Sequence, residues 1–401
     1  MKDMKNSRLL VVSDRFPHAR DPISSSFVKS QVEYIKNHFG RVYVIALSPW
    51  VPKFLSRFSF MDSKGRWDGY AEDYSYDNVE VYFAKPLALP FDFSRRRRGD
   101  DSFKSAVRVI EKNKIDFDLI HAHFTMPSGY VGARLKEAYG KRLILTVHED
   151  REWFHREMAS KDDKILYAWK SSDRIIRVNR ADLKEFERIG IERSKLVYLP
   201  NGFSPRLFEP VDKRKAREVL GLPQNKKILV NIAALQPYKG QKYLIRAMKR
   251  VSTEREDVLL YIVGKGSEKD HLQKEIDRCG LCDSVVLAGG DKPAQEIALW
   301  MNSCDIFVLS SLSEGNPTVM FEALGCGKPF VGTNVGGIPE IINDDLGMLV
   351  EPGNTDGLVT AILEALDRKW DIKYILDYSS RFTWERITVE VIKLYEAALR
   401  E

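Results

Sequence analysis

Short apolar runs recur along this 401-residue chain, and stretches with helical spacing separate them. In the first half the runs lie at 8–13, 42–47, 118–123, 142–147, 174–178 and 196–198. In the second half they lie at 227–232, 258–263, 284–288, 305–309 and 329–332. They are too short for core helices and mostly lack polar alternation, so they read as strands covered on both faces. Strands that alternate with helices build a parallel, doubly wound sheet, and the expected fold class is α/β. The length has room for two such domains. The boundary is expected near Leu199-Pro200-Asn201-Gly202-Phe203-Ser204-Pro205-Arg206-Leu207-Phe208, a Pro/Gly-rich hinge. The expected domains are residues 1–198 and 199–382, followed by a last helix at 383–401. Ligands to such sheets bind beyond the carboxyl ends of the strands.

Apolar residues make up 44% of the chain and charged residues 30%, the balance of a soluble globular protein. No apolar run is long enough to span a bilayer. The opening Met1-Lys2-Asp3-Met4-Lys5 leads into a strand without the apolar core of a signal peptide, so the cytoplasm is the expected compartment. Charge is uneven. Residues 1–200 carry 37 Lys and Arg against 28 Asp and Glu, whereas residues 201–401 carry 26 against 29. A basic first half points to an anionic partner, either a membrane surface or a phosphate-bearing acceptor. No nucleic-acid motif accompanies it, and nucleic acid is not an expected partner.

Residues 50–101 fit the strand pattern poorly. Trp50, Phe54, Phe58, Phe60, Met61 and Trp67 are interleaved there with Lys53, Arg57, Lys64 and Arg66, and Arg95-Arg96-Arg97-Arg98 follows. Aromatic and basic residues in this mixture suit the anionic face of a membrane, and a solvated loop is the plainer alternative. The four cysteines form no disulfide framework. Cys279 and Cys282 have C-x-x-C spacing without a second pair, and Cys282 is read as the start of a strand, with no redox role.

The densest signal follows the run at 305–309. Asn316 is a good N-cap there, with Pro317 at the first helical position, and Gly325 and Gly327 are expected to end the helix. The N–H groups of Thr318 and Val319 at such a terminus attract an anion, typically phosphate. Glu314 lies in the loop before the helix. Glu322 lies about 7–8 Å further along its axis. A phosphate at the helix end would have one carboxylate on each side.

Glu314-Gly315-Asn316-Pro317 and Glu322-Ala323-Leu324-Gly325-Cys326-Gly327-Lys328-Pro329 together resemble the E-x7-E segment of retaining glycosyltransferases of family 4. The string 331–340, with Gly336-Gly337, extends the resemblance. It implies the GT-B fold, two Rossmann-like domains facing each other across a cleft, with the last helix crossing back onto the first domain. It also implies a nucleotide-diphosphate sugar as co-substrate, with Glu314 on the sugar and Glu322 on the ribose. Ala233 to Gly240 resembles the family segment whose Arg and Lys neutralise the donor diphosphate. Lys239 and Gly240 match it, and Ala234 stands where the family has Arg. The resemblance places the turns at Gly264 and Gly289 near the nucleotide, and it places His148, with Asp150 as a weaker match, on the donor sugar. For His121 and His123 a structural and a functional role stand equal. In the loop after the first strand, Ser24, Ser25 and Ser26 replace the family's glycines at the acceptor mouth.

The resulting expectation is a retaining hexosyltransferase that moves a sugar to a hydroxyl of a glycan or lipid-linked acceptor in polysaccharide or glycolipid synthesis. His148, Lys239 and Glu314 are the expected catalytic set. Lys239, Gly240, Gly264, Gly289, Asn316, Thr318, Val319 and Glu322 are the expected donor-binding set. No metal or cofactor is expected, since the helix terminus and Lys239 supply the positive charge. The rival readings are a nucleotide-sugar epimerase on the same fold, a glycosidase using Glu314 and Glu322, and an inactive nucleotide-sugar-binding protein.

Overall fold

A computed structural model describes residues 4–18, 26–50, 71–87, 92–290 and 292–400; Ser26 and residues 92–96 are described by their backbone alone. The chain divides into two units. The first comprises Met1–Glu149, Trp153–Leu199 and Ile387–Glu401, and the second Asp150–Glu152 and Pro200–Arg386.

The strands of the first unit are β1 (Arg8–Ser13), β2 (Arg41–Leu47), β3 (Tyr74–Tyr76), β4 (Val79–Ala84), β5 (Leu119–His123), β6 (Arg142–Val147), β7 (Arg174–Arg177) and β8 (Leu196–Tyr198). They form one sheet in the order β3-β4-β2-β1-β5-β6-β7-β8. Every pairing is parallel except β3 with β4. The helices are α1 (Ser26–Ile35), α2 (Asp92–Lys112), α3 (Tyr130–Tyr139), α4 (Arg151–Ser160), α5 (Asp163–Ser171) and α6 (Leu183–Arg188). All five residues of β5 are buried, as are the last five of β1 and of β6. Leu10, Val12, Ile120, Leu143 and Leu145 meet Val131, Leu135 and Trp169 in one core.

The sheet pattern continues into the stretch that sequence reasoning left outside it. β3 and β4 occupy part of 50–101, and Arg95–Arg98 fall within α2. β4 shows partial alternation rather than an unbroken apolar run, with Glu80 and Tyr82 only half-buried. The aromatic and basic residues from Lys53 to Trp67, and the loop serines Ser24 and Ser25, lie outside the described residues.

The second unit contains α7 (Lys213–Val219), β9 (Lys227–Ile232), α8 (Gln241–Glu254), β10 (Val258–Val263), α9 (Lys269–Cys279), β11 (Val285–Leu287), α10 (Ala294–Ser303), β12 (Ile306–Leu309), α11 (Thr318–Gly325), β13 (Phe330–Thr333), β14 (Gly347–Val350), α12 (Thr355–Asp367) and α13 (Ile372–Ser379). The last helix, α14 (Trp384–Arg400), belongs to the first unit from Ile387 onward. The strands form a parallel sheet in the order β11-β10-β9-β12-β13-β14. β14 was missed in the sequence because three of its four residues are only half-buried. Phe307, Phe321 and Phe330 fill one face of this sheet, and Leu244, Met248 and Leu260 fill the other.

The end of α11 corrects one expectation. Gly325 lies inside the helix, which is followed by Cys326 and by Gly327 at φ +69°. A Cβ on Gly325 would lie 2.2 Å from the Phe203 ring, so glycine there serves close packing. Among the described residues, no helix is long and apolar enough to cross a membrane.

Candidate active site

β9 and β12 are neighbours in the second sheet, so the loops at their carboxyl ends emerge side by side. After β9 the chain makes a 3₁₀ turn at Pro237–Lys239 and enters α8 through Gly240 at φ +64°. After β12 it runs through Ser310–Asn316 into α11. Lys239 Nζ donates to Glu314 Oε1 at 2.6 Å, and Ser311 Oγ donates to the same oxygen at 2.6 Å. Both ends of the ion pair are largely buried, with side-chain exposures of 16% and 8%. Burial opposes the lysine's charge, and Glu314 outweighs it, so the ammonium is held above the ordinary lysine range.

Glu322 lies one turn inside α11 and bonds Thr318. It is half-buried. Loss of water around the carboxyl raises its pKa to about 7, against the opposing bond from Thr318. The carboxyl therefore changes charge near neutrality.

Asn316 is not the helix cap. Pro317 occupies that position, with Thr318 as the first helical residue. One residue further out, Asn316 instead clasps the loop after β8. Its Oδ1 accepts from Asn201 N at 2.8 Å, and its carbonyl accepts from Asn201 Nδ2 at 2.7 Å. The proline's extended backbone, at ψ 123°, holds Asn316 one position away from the first-turn N–H groups. Helix geometry leaves those N–H groups of Thr318 and Val319 without partners inside the helix.

Packing sets Gly240 and Gly264, and a left-handed backbone sets Gly289. A Cβ on Gly240 would lie 2.1 Å from the Ser310 carbonyl oxygen, and one on Gly264 would lie 1.9 Å from that of Ala233. Gly289 has φ +79°, open space where a side chain would stand, and a carbonyl that accepts from Gly264 N at 2.7 Å. Asp291, two residues further on, lies outside the described residues.

In the first unit, the carboxyl ends of β5 and β6 carry a ladder of histidines. His121 Nε2 meets Thr146 Oγ1 at 2.7 Å and His121 Nδ1 meets Tyr395 Oη at 2.5 Å. His123 Nδ1 meets His148 Nε2 at 3.0 Å. Burial drives His121 well below the ordinary histidine range and His123 to about 3, so both are neutral at physiological pH. Phe27 and Phe124 stand against the His148 ring at centroid distances of 5.0 and 5.1 Å.

Beneath this edge lies a buried charge cluster. Arg177, fully enclosed, donates from Nη1 to the carbonyls of Val147 and Glu149 at 2.8 Å each, and its Nη2 meets Asp182 Oδ2 at 2.6 Å. Glu149 Oε1 accepts from Thr125 N at 2.5 Å, and Glu157 Oε1 accepts from Trp153 Nε1 at 3.1 Å. Burial raises both carboxyls, and the neighbouring Glu149 adds to the rise of Glu157, which reaches about 9.

Sequence reasoning missed Ser311, Arg177, Glu149 and Glu157. A serine pair directly after a buried strand was the available signal for Ser311. For Arg177 it was a lone arginine closing an apolar strand. The two glutamates carried no signal, because their proximity depends on how α4 packs. Among the described residues, no group of three or more His, Cys, Asp or Glu is arranged to hold a metal ion.

Two doubly wound parallel-sheet units, the second with a Lys–Glu pair at the head of a helix, define a GT-B enzyme. A UDP- and glucose-bound Anabaena protein, HepE, has the same fold, with a TM-score of 0.73, 20% identity and coverage of 98% of this chain and 100% of that one. The model for Glycosyltransferase Family 4 matches residues 63–207, and that for Glycosyl transferases group 1 matches 212–379. A D-inositol 3-phosphate glycosyltransferase of Catenulispora acidiphila is 30% identical over 71% of this chain and 72% of its own. An N-acetyl-alpha-D-glucosaminyl L-malate synthase of Bacillus anthracis is 25% identical over 71% of this chain and 76% of its own. The chain belongs to the family 4 glycosyltransferases and is an enzyme of the hexosyltransferase type.

Proposed function

We propose that this enzyme transfers a hexose, with retention of anomeric configuration, from a nucleotide-diphosphate donor to an acceptor hydroxyl. The observation that carries the reading is the Lys239–Glu314 pair at the head of α11, with the half-buried Glu322 one turn inside that helix. As the glycosidic bond breaks, negative charge builds on the leaving diphosphate. Lys239 and the first-turn N–H groups of α11 meet that charge. Glu314 orients the sugar, Glu322 accepts from the ribose hydroxyls, and His148 contacts the sugar. Asn316 acts by shaping the loop. Gly240, Gly264 and Gly289 let the backbone come close to the nucleotide. Helix dipole and lysine suffice for the diphosphate, and no divalent metal is required.

UDP is the first donor base to test, because the Anabaena neighbour binds UDP and glucose. The acceptor is a glycan or a lipid-linked sugar in polysaccharide or glycolipid synthesis, and the basic first half brings the enzyme to an anionic membrane face. A small anionic acceptor is the second reading, favoured by the names of the two relatives. The test is a thermal-shift screen of UDP- and GDP-sugars, followed by transfer assays with neutral, anionic and lipid-linked acceptors. Product anomers are read by NMR. An inverted product, or conversion of donor to a new nucleotide sugar without acceptor, would overturn the reading.

A further inference from the structure

We propose that His123 is a positioning residue that fixes the ring plane and the tautomer of His148. Its consequence for catalysis rests on the reading in which His148 contacts the transferred sugar.

The strand register creates the contact. His123 on β5 is paired with Thr146 on β6, and His121 with Ile144. Side chains two residues apart share a face, so His121 and His123 form one row and Thr146 and His148 the next. Each histidine of the first row reaches diagonally to the residue two beyond its register partner: His121 to Thr146, and His123 to His148.

The geometry at the second rung is that of an in-plane bond. The two rings are 12° from parallel with centroids 5.3 Å apart, and the nitrogens are 3.0 Å apart. The centroid separation exceeds the nitrogen separation by two ring radii, so the nitrogens point at each other along a shared plane. A lone pair and an N–H both lie in the ring plane, and this arrangement satisfies both. One proton occupies the rung. If His123 Nδ1 carries it, His148 is protonated on Nδ1; if His148 Nε2 carries it, His123 is protonated on Nε2. The two tautomers are therefore locked together.

The surroundings leave His148 little other freedom. Arg177 ties down the carbonyls on both sides of it, at Val147 and Glu149. Phe27 and Phe124 stand against the ring. His123 is itself immobilised by burial and by the His121 ring at 4.2 Å. It stays neutral in this enclosure, so it offers a bond without adding charge beside the sugar. His148 Nδ1, the remaining ring nitrogen, is buried in this structure, so the sugar contact belongs to the proposed function, whereas the rung at Nε2 stands on the geometry alone.

The experiment uses the full chain labelled with ¹⁵N-histidine, with the His148 signal assigned by its loss in His148→Asn. Imidazole nitrogen shifts report the tautomer. The proposal expects one tautomer for His148 in the unaltered protein. In His123→Phe the shifts should move to those of a tautomer mixture, and kcat should fall on the order of tenfold to a hundredfold with KM little changed. His123→Asn, whose amide stands near the Nδ1 position, should restore the single tautomer and most of the rate. Mixed tautomers in the unaltered protein would overturn the proposal. So would an unchanged His148 spectrum in His123→Phe, or a His123→Asn variant as impaired as His123→Phe. If His148→Asn keeps full turnover while these spectral results hold, the sugar contact fails and the tautomer lock stands.

Discussion

At the scale of single residues, the Lys239–Glu314 pair carries the proposed function. Without donor, the lysine's charge is held by the carboxylate that is also expected to orient the sugar. Diphosphate must draw that ammonium toward itself, while Ser311 keeps Glu314 in place. Ala234 stands where the family carries Arg, so Lys239 is the cation of this motif. Lys239→Ala should therefore cost about 10²–10³ in kcat, with a smaller loss in donor affinity. A loss below about tenfold would assign the diphosphate to other groups. Glu322 supplies a second prediction. Its pKa near 7 means that it is neutral in acid and ionised above neutrality. Ribose hydroxyls donate best to the ionised form, so the unaltered protein should gain affinity for UDP, relative to Glu322→Gln, between pH 6 and pH 8. Calorimetric titration at both pH values gives the ratio, and a ratio independent of pH would refute the ribose role.

At the scale of elements, the proposed site depends on a glycine-limited turn at Gly240. Gly240 needs φ +64°, and its missing Cβ clears the Ser310 carbonyl by leaving a gap that a methyl would close to 2.1 Å. Gly280, at the end of α9, also has a positive φ, at +69°, but has open space around it. Gly280→Ala should cost about 1 kcal/mol and leave turnover intact, the cost of a left-handed residue alone. Gly240→Ala should cost at least about 2 kcal/mol and lower kcat as well, because the backbone shift displaces Lys239. Denaturant midpoints and steady-state rates of the two variants make the comparison. Equal effects would mean that the Ser310 contact is easily relieved.

The same scale explains what the sequence made legible. Strands in the middle of a parallel sheet were readable from their buried apolar runs, unbroken in β12 and the centre of β1 and interrupted only by His121 and His123 in β5 and by Asn231 in β9. β4, partly alternating, and β14, at the edge, lack that signal. The meeting of Lys239 with Glu314 follows from β9 and β12 being neighbours, which strand order alone decides. The histidine ladder was written in the period of two at His121, His123, Thr146 and His148, but its diagonal rungs required the register. Asn316 misled because a good capping residue lay one position before a proline that could itself stand at the cap. Glu149 and Glu157 were illegible because no local pattern says which side chains two elements will press together.

At the scale of the whole molecule, buried titratable groups decide how stability changes with pH. His121 and His123 bind protons more weakly folded than unfolded, so they withdraw stability as pH falls below about 6.5. Glu157 acts at the other end. Its folded pKa of about 9 lies above the ordinary glutamate value of 4.5, so the native state holds a proton that the unfolded chain has released. Its contribution is complete below the unfolded value and is lost as pH rises toward 9, at a slope of up to about 1.4 kcal/mol per pH unit. Glu149 works in the same direction, since burial raises it too. Glu157→Gln keeps the shape and a donor while removing the titration. The variant should gain stability relative to the unaltered protein between pH 5 and pH 8, with the difference widening as pH rises. Urea midpoints of both proteins across that range provide the measurement. A constant difference would mean that Glu157 ionises in the fold as it does in water.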